Sequence, residues 1–239
     1  MNTTMAKIST NRLFAAMRLD MMLQLKYQIF TAGLIVALLY TAVFLMLPFE
    51  KPDKLLVLLI FSDPTVLGFI FIGAIFIFEK DQNTLQAIAI TPLKDQEFLL
   101  SKSFSLTFNS AICSLIIIIS VKGLHFNLFY FLSALLLSSN LFIFLGVIGV
   151  LKVKTINQYI FIIPFFIAPL SVPILNYLGV VHSWLFYLIP SQASLELFHA
   201  SFNKIPFFTA LYSYAYLLLW NYLAYKYAVK SLVLYKQKN

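Results

Sequence analysis

Apolar residues in this chain come in long unbroken runs, separated by short stretches that collect nearly all the charge. A bilayer core takes about 20 apolar residues of helix to cross. Six runs meet that length: 28–47, 58–78, 103–121, 127–150, 156–178 and 207–226. They are continuous rather than alternating, which argues against barrel strands. Backbone in lipid must satisfy its own hydrogen bonds, which leaves helices. The pattern predicts an all-α polytopic membrane protein: six transmembrane helices in a single transmembrane domain over 1–239.

Three segments between or before the runs carry a different pattern. In 7–27, Phe14, Met17, Met21 and Leu25 share a helical face while Arg12, Arg18 and Lys26 carry charge. This predicts an interfacial helix in the headgroup plane, with a plain cytoplasmic extension of the first span as the other reading. In 78–102, Leu85, Ile88 and Ala89 make a short apolar face inside a polar loop. Thr91-Pro92 then predicts a helix restart, with Thr as cap and Pro at the first position. Asp95 and Glu97 follow, where the dipole favours acids. An apolar face in a loop with no core of its own suggests a docking surface; the alternative is a loop folded back onto the membrane. The stretch 179–206 is too long for a turn and too apolar for a solvated loop. Trp184, Phe186, Tyr187 and Phe198 suit the membrane interface, and short outer-leaflet helices are expected there. An extension of the fifth span with a long outer loop is the competing reading.

Charge fixes the expected orientation. With the N-terminus inside, cytoplasmic segments hold thirteen of the seventeen Lys and Arg, and the outside holds Lys51, Lys54, Lys122 and Lys204. The positive-inside rule then predicts N-in, C-in. The net charge of +8 is thus a topology signal at lipid headgroups rather than a nucleic-acid footprint. Only 11% of residues are charged and 61% are hydrophobic, whereas a soluble domain carries about a quarter charged residues. Membrane lipid is therefore the solvent for much of the surface. Cys113 is the single cysteine, in an apolar run, and reads as packing. The first 27 residues do not read as a cleavable signal peptide.

The order Glu79, Asn83-Thr84-Leu85, Thr91-Pro92-Leu93, Glu97 and Lys102 resembles the membrane subunits of type-2 ATP-binding-cassette exporters. Their pattern runs acidic residue, Gly-Thr-Leu-Glu, Thr-Pro, Glu and Gly-Lys; here Asn83, Gln86 and Ser101 depart from it. The resemblance extends over most of the chain, and within the family it is most similar to fluoroquinolone-export-type permeases. It implies that 82–92 is a coupling helix seated in a groove of a separate ATP-binding-cassette ATPase. By the same resemblance Glu79, Thr84, Leu85, Ile88, Thr91, Pro92, Leu93, Glu97 and Lys102 serve ATPase coupling. No G-x-x-x-x-G-K-[ST] phosphate loop occurs in the chain, so ATP and Mg are expected on the partner and no cofactor in this chain. A second permease copy, identical or related, is expected, because six spans seldom enclose a full pathway. The implied cargo is an apolar or amphipathic drug-like small molecule. A haem- or lipid-type export permease shares this layout, and a stand-alone assembly factor or lipid enzyme is the alternative from another class.

Polar residues inside the runs complete the candidates. Asp63-Pro64 reads either as a helix cap or as a pathway charge; under the cap reading the second span starts near 63 and 55–61 form an outer shoulder. Asn109, Asn140 and Asn221 can bond between helices, and Glu196 carries the same ambiguity as Asp63. Pro164, Pro169 and Pro173 predict a kinked fifth span. His125, His182 and His199 lack metal-ligand spacing, and no catalytic constellation is expected.

Overall fold

The computed structural model describes residues 9–46, 53–62, 67–82, 84 and 91–238, and all regular structure among them is helical. Helix α1 spans Thr10–Lys26 and α2 spans Ile29–Met46. They are separated at Gln28, whose φ of 58° lies in the left-handed region uncommon for a side-chain-bearing residue. Helix α2 buries Ile29, Gly33, Ala37, Thr41 and Phe44. This near four-residue spacing draws one stripe, largely of small residues, that lets neighbouring backbones approach. Its partner is α5, Asp95–Lys122.

The run predicted over 58–78 is described on either side of 63–66. Helix α3, Asp53–Ser62, is followed by α4, Gly68–Asp81. The shoulder anticipated around 55–61 is therefore helical, and Asp63 itself lies outside the described residues. Helix α3 buries Leu56, Val57, Ile60 and Phe61, a pattern that seals one face. Helix α6, Leu128–Val150, starts where Asn127 accepts hydrogen bonds from the Phe129 and Tyr130 amides. It is the central helix, packing on α4, α5 and the last helix.

The fifth run divides into α7, Ile156–Ser171, and α8, Pro173–Leu178, with Pro173 opening the second piece. Tyr159 is the one buried residue of α7. Its ring stacks on Phe69, and its hydroxyl donates to the Phe69 carbonyl at 2.6 Å. Gly73 makes room for that ring: a Cβ there would sit 1.9 Å from Tyr159. The stretch 179–206 holds a 3-10 turn, Trp184–Leu188, and α9, Pro190–Ala200, with Pro190 in its first turn. Short helices are present there as expected. Trp184 is exposed, but Phe198 is fully buried. It faces Phe61 and Phe131, so it is core rather than an interfacial aromatic.

The final helix, α10, runs Phe207–Lys238, well past the predicted end at 226. Ala224, Ala228 and Leu232 continue a buried stripe, which keeps it packed after hydropathy falls. Among the described residues four helical stretches are long and apolar enough to cross a membrane: Ile29–Met46, Asp95–Lys122, Leu128–Val150 and Ile156–Leu178. At 1.5 Å per residue, the 14 residues of α4 reach only about 21 Å.

Contacts tie distant segments together at two ends of the bundle. At one end Tyr27 meets Gln82, Lys80 meets the Val150 and Val153 carbonyls, and Lys236 meets Asp95. At the other, Lys122 pairs with Asp53, Asn127 bonds Ser201, and the Tyr177 hydroxyl meets His199.

Candidate functional site

The densest polar arrangement lies at the first of those ends, where α1, α4 and α5 converge. Helix α5 begins at Asp95, three residues later than Thr91-Pro92 predicts. Thr91 and Pro92 form a bend instead, with the Leu93 amide donating to Thr91 Oγ1. Glu97 starts the helix: its carboxylate accepts from the Lys94 amide at 3.0 Å. The same side chain accepts from the Ser9 amide at 2.8 Å and from Arg12 at 3.0 Å. One carboxylate thus caps α5 and pins the start of α1 onto it.

Lys102 sits about one and a half turns further along α5. Its ammonium lies 2.9 Å from Asp20 Oδ1 on α1 and 2.5 Å from Glu79 Oε1 on α4. All three side chains are buried. The rings of Phe98 and Phe76 flank the cation, at 4.7 and 5.7 Å to their centroids. Ser101 donates to Asp20 Oδ2 at 2.5 Å. One turn on, Gln24 donates to Ser105 Oγ at 2.8 Å. Removing charges from water is costly and is offset only by close pairing, so these contacts fix three helices in one register.

The consequence for 79–102 is mechanical. Glu79 and Lys102, at its two limits, are joined to each other, and Glu97 ties the returning strand of chain to α1. Lys80 donates to the Val150 and Val153 carbonyls at 3.1 and 3.0 Å. Both carbonyls lie where α6 ends, and the Val150 carbonyl also accepts from the Val153 amide. Burial lowers the Lys80 ammonium from its usual value, against the opposing effect of Asp81. The backbone between these anchors includes Thr84, helical and half-buried. Leu85 and Ile88 lie outside the described residues. A mainly apolar cavity of about 250 Å³ opens beside Thr91, Pro92 and Leu93, against Arg12, Leu19 and Phe98.

The sequence candidates therefore separate into groups. Glu79, Glu97 and Lys102 point inward and hold the segment from behind, while Thr91 is exposed and Leu93 half-buried. Asn140 joins α6 to α5 by accepting from Ser103 and Thr107. Asn109 is buried against α2, where a Cβ on Gly33 would lie 3.6 Å from its amide. Asn221 donates to the Leu137 carbonyl at 3.0 Å and ties α10 to α6. Glu196 accepts from Gln192 within α9. These four are not gathered into one site. Sequence reading overlooked Asp20 and Gln24, took Ser101 only as a departure from the family pattern, and gave Arg12 only a charged place on the first helix. The available signal was Asp20 itself, an acid within an otherwise basic helix. Among the described residues no group of three His, Cys, Asp or Glu side chains is arranged to hold a metal.

The inward lattice around Lys102 and the turn at Thr91-Pro92-Leu93 thus fall on the motif residues Glu79, Thr91-Pro92-Leu93, Glu97 and Lys102. Comparison with known proteins bears on the chain as a whole. Two relatives, both named fluoroquinolones export permease protein and from two strains of Mycobacterium tuberculosis, are each 29% identical to the chain over 196 residues. The alignment covers 81% of this chain and 82% of each relative. The family match reaches from residue 11 to residue 236, taking in α1, the Lys102 lattice and the long last helix; the chain belongs to the fluoroquinolones export permease protein family.

Proposed function

We propose that this chain is the membrane half of an ATP-driven exporter in a cell membrane. It crosses six times with both termini inside, and works with a separate ATP-binding-cassette ATPase and a second permease copy. Six crossings are supported by the pairs at the two ends of the bundle, which alternate along the chain as six passes require. The distribution of Lys and Arg supports the inward termini. The cargo is an apolar or amphipathic drug-like molecule, with fluoroquinolone-type compounds first in line from the names of the relatives.

The observation that carries this reading is the inward anchoring of both limits of 79–102. A handle transmits force only if its roots are rigidly joined to what must move. Glu79, Lys102 and Asp20 join α4, α5 and α1, so a push on the intervening segment is delivered to three helices together. ATP-driven closure of the partner would then bias a two-state arrangement of the spans. ATP and Mg act on that partner, where they supply the free energy of closure.

The test is co-purification from the native membrane. A tagged chain should bring down a protein with a phosphate loop, and its ATPase activity should rise with a fluoroquinolone. Charge reversal at Glu97, or Leu93→Asp, should weaken recovery of the ATPase. A chain that is always recovered alone and still lowers cellular drug content would end this reading.

A further inference from the structure

The lattice around Lys102 does not balance. Asp20 and Glu79 are two carboxylates, and among the described residues Lys102 is the one cation that bonds either of them; all three are buried. The two acids also differ in how well they are held. Asp20 is satisfied as an anion: Oδ1 takes the Lys102 ammonium and Oδ2 takes the Ser101 hydroxyl. Glu79 has Lys102 on Oε1, while its buried Oε2 has no partner.

Among the described residues no second cation relieves this. Lys80, the neighbour on α4, points to the Val150 and Val153 carbonyls and the Tyr235 ring. Arg12 on α1 is taken by Glu97, and Lys236 on α10 is taken by Asp95. The Tyr27 hydroxyl donates to Gln82 rather than to Glu79. From α7, packed on α4, the titratable group is Tyr159, whose hydroxyl donates to Phe69. Asp81, two residues on, is exposed, and its charge acts on Lys80. An unpaired buried charge is far more costly than a neutral buried acid.

We propose that Glu79 is a proton-binding site, filled on Oε2 when α1 docks against α4 and α5. Docking brings Asp20 to Lys102 and makes it the better counter-ion. The carboxylate of Glu79, now in excess, takes one proton from water and becomes a neutral acid. When α1 leaves, Lys102 keeps Glu79 as its single counter-ion, and the proton returns to water. Docking of α1 and uptake of one proton are thus the same event, so acid favours the docked state. Burial acts in the same direction, raising the Glu79 carboxyl from its ordinary range while Lys102 pulls it down.

The sign follows from linkage. A carboxyl whose value is raised on docking adds stability at acid pH and loses it as pH rises through that raised value. Over this window the docking equilibrium of the native chain should fall by up to about tenfold per pH unit. In Glu79→Gln, which mimics the neutral acid, that slope should vanish.

Two measurements on the full chain in lipid nanodiscs test this, and neither needs the ATPase or the cargo. Infrared spectra near neutral pH should show a protonated carboxylic-acid carbonyl band in the native chain that is absent from E79Q. Asp20→Asn should also lose the band, because Glu79 then becomes the counter-ion of Lys102. Proteolytic release of α1 at the exposed Arg18 should quicken with pH in the native chain and stay flat in E79Q. A band that survives in E79Q, or no band in the native chain, overturns the proposal, as does faster release in E79Q than in the native chain at alkaline pH. If E79Q does not accumulate, the native chain and D20N decide it: both spectra alike refutes it, and a band in the first only supports it.

Discussion

Replacing Lys102 by methionine tests the lattice most severely, because it removes the cation and keeps the apolar stem. The ammonium holds Asp20 at 2.9 Å and Glu79 at 2.5 Å with 1% of its own side chain exposed. The stem still packs between Phe76 and Phe98, so the loss is electrostatic. Removing one partner of a buried pair costs about 3–5 kcal/mol, since the remaining charge is stranded. Against a total stability of about 5–15 kcal/mol this is a large fraction. Cys113 offers the assay: it is the single cysteine and is buried, so a thiol-reactive dye reports unfolding in detergent during a thermal ramp. K102M should label at a markedly lower temperature than the native chain. The triple variant Asp20→Asn, Glu79→Gln, Lys102→Met should recover most of the loss, because replacing a whole buried ionic group is far milder than breaking it. Labelling of K102M within about 1 kcal/mol of the native chain would refute the reasoning. So would a triple variant no better than the single one.

Other expectations are equally direct. Glu97→Gln weakens the charge-assisted bonds from Ser9 and Arg12, at about 1.5–3 kcal/mol; amide hydrogen exchange over 9–15 should speed up while that over α6 stays unchanged. Gly73→Ala drives a methyl group into the Tyr159 ring and should cost about 1–3 kcal/mol, with Tyr159→Leu in the same chain restoring part of it. Lys80→Met uncovers the Val150 and Val153 carbonyls. The expected loss is about 1–2 kcal/mol, seen as faster exchange over 150–158. Asn221→Leu removes the bond to Leu137, and the expected loss of about 1 kcal/mol should leave α6 and α10 associated in crosslinking.

What could be read from the residues follows from how local the governing forces are. The α2 and α6 boundaries were legible because hydropathy and a single cap, Asn127, decide them. The start of α3 at Asp53, ahead of the run predicted from 58, was not, since charged Asp53 and Lys54 precede its apolar face. The length of α10 was hidden for a similar reason. Beyond 226 its hydropathy falls, and only the stripe Ala224, Ala228 and Leu232 keeps it packed. Pro92 looked like a helix start by local preference, yet the side chain of Glu97 moved that start to Asp95. The motif residues Glu79, Glu97 and Lys102 were legible by resemblance. Their inward orientation was not, because it depends on Asp20 and Arg12 about 80 positions away in the chain, and no local pattern pairs them.

The slender attachment of α7 has a consequence for how this protein senses its surroundings. Tyr159 is the one buried residue of this helix, Ile162, Phe166 and Leu170 pack half-buried along the same side, and Phe161 and Phe165 face outward. Within the single chain, protein holds one side of this helix and leaves the other to neighbouring acyl chains. The tilt of a helix so held follows the thickness of the bilayer. Membrane composition therefore becomes a determinant of the shape of this wall, whereas α6, gripped on several sides, keeps its inclination in thick and thin bilayers alike.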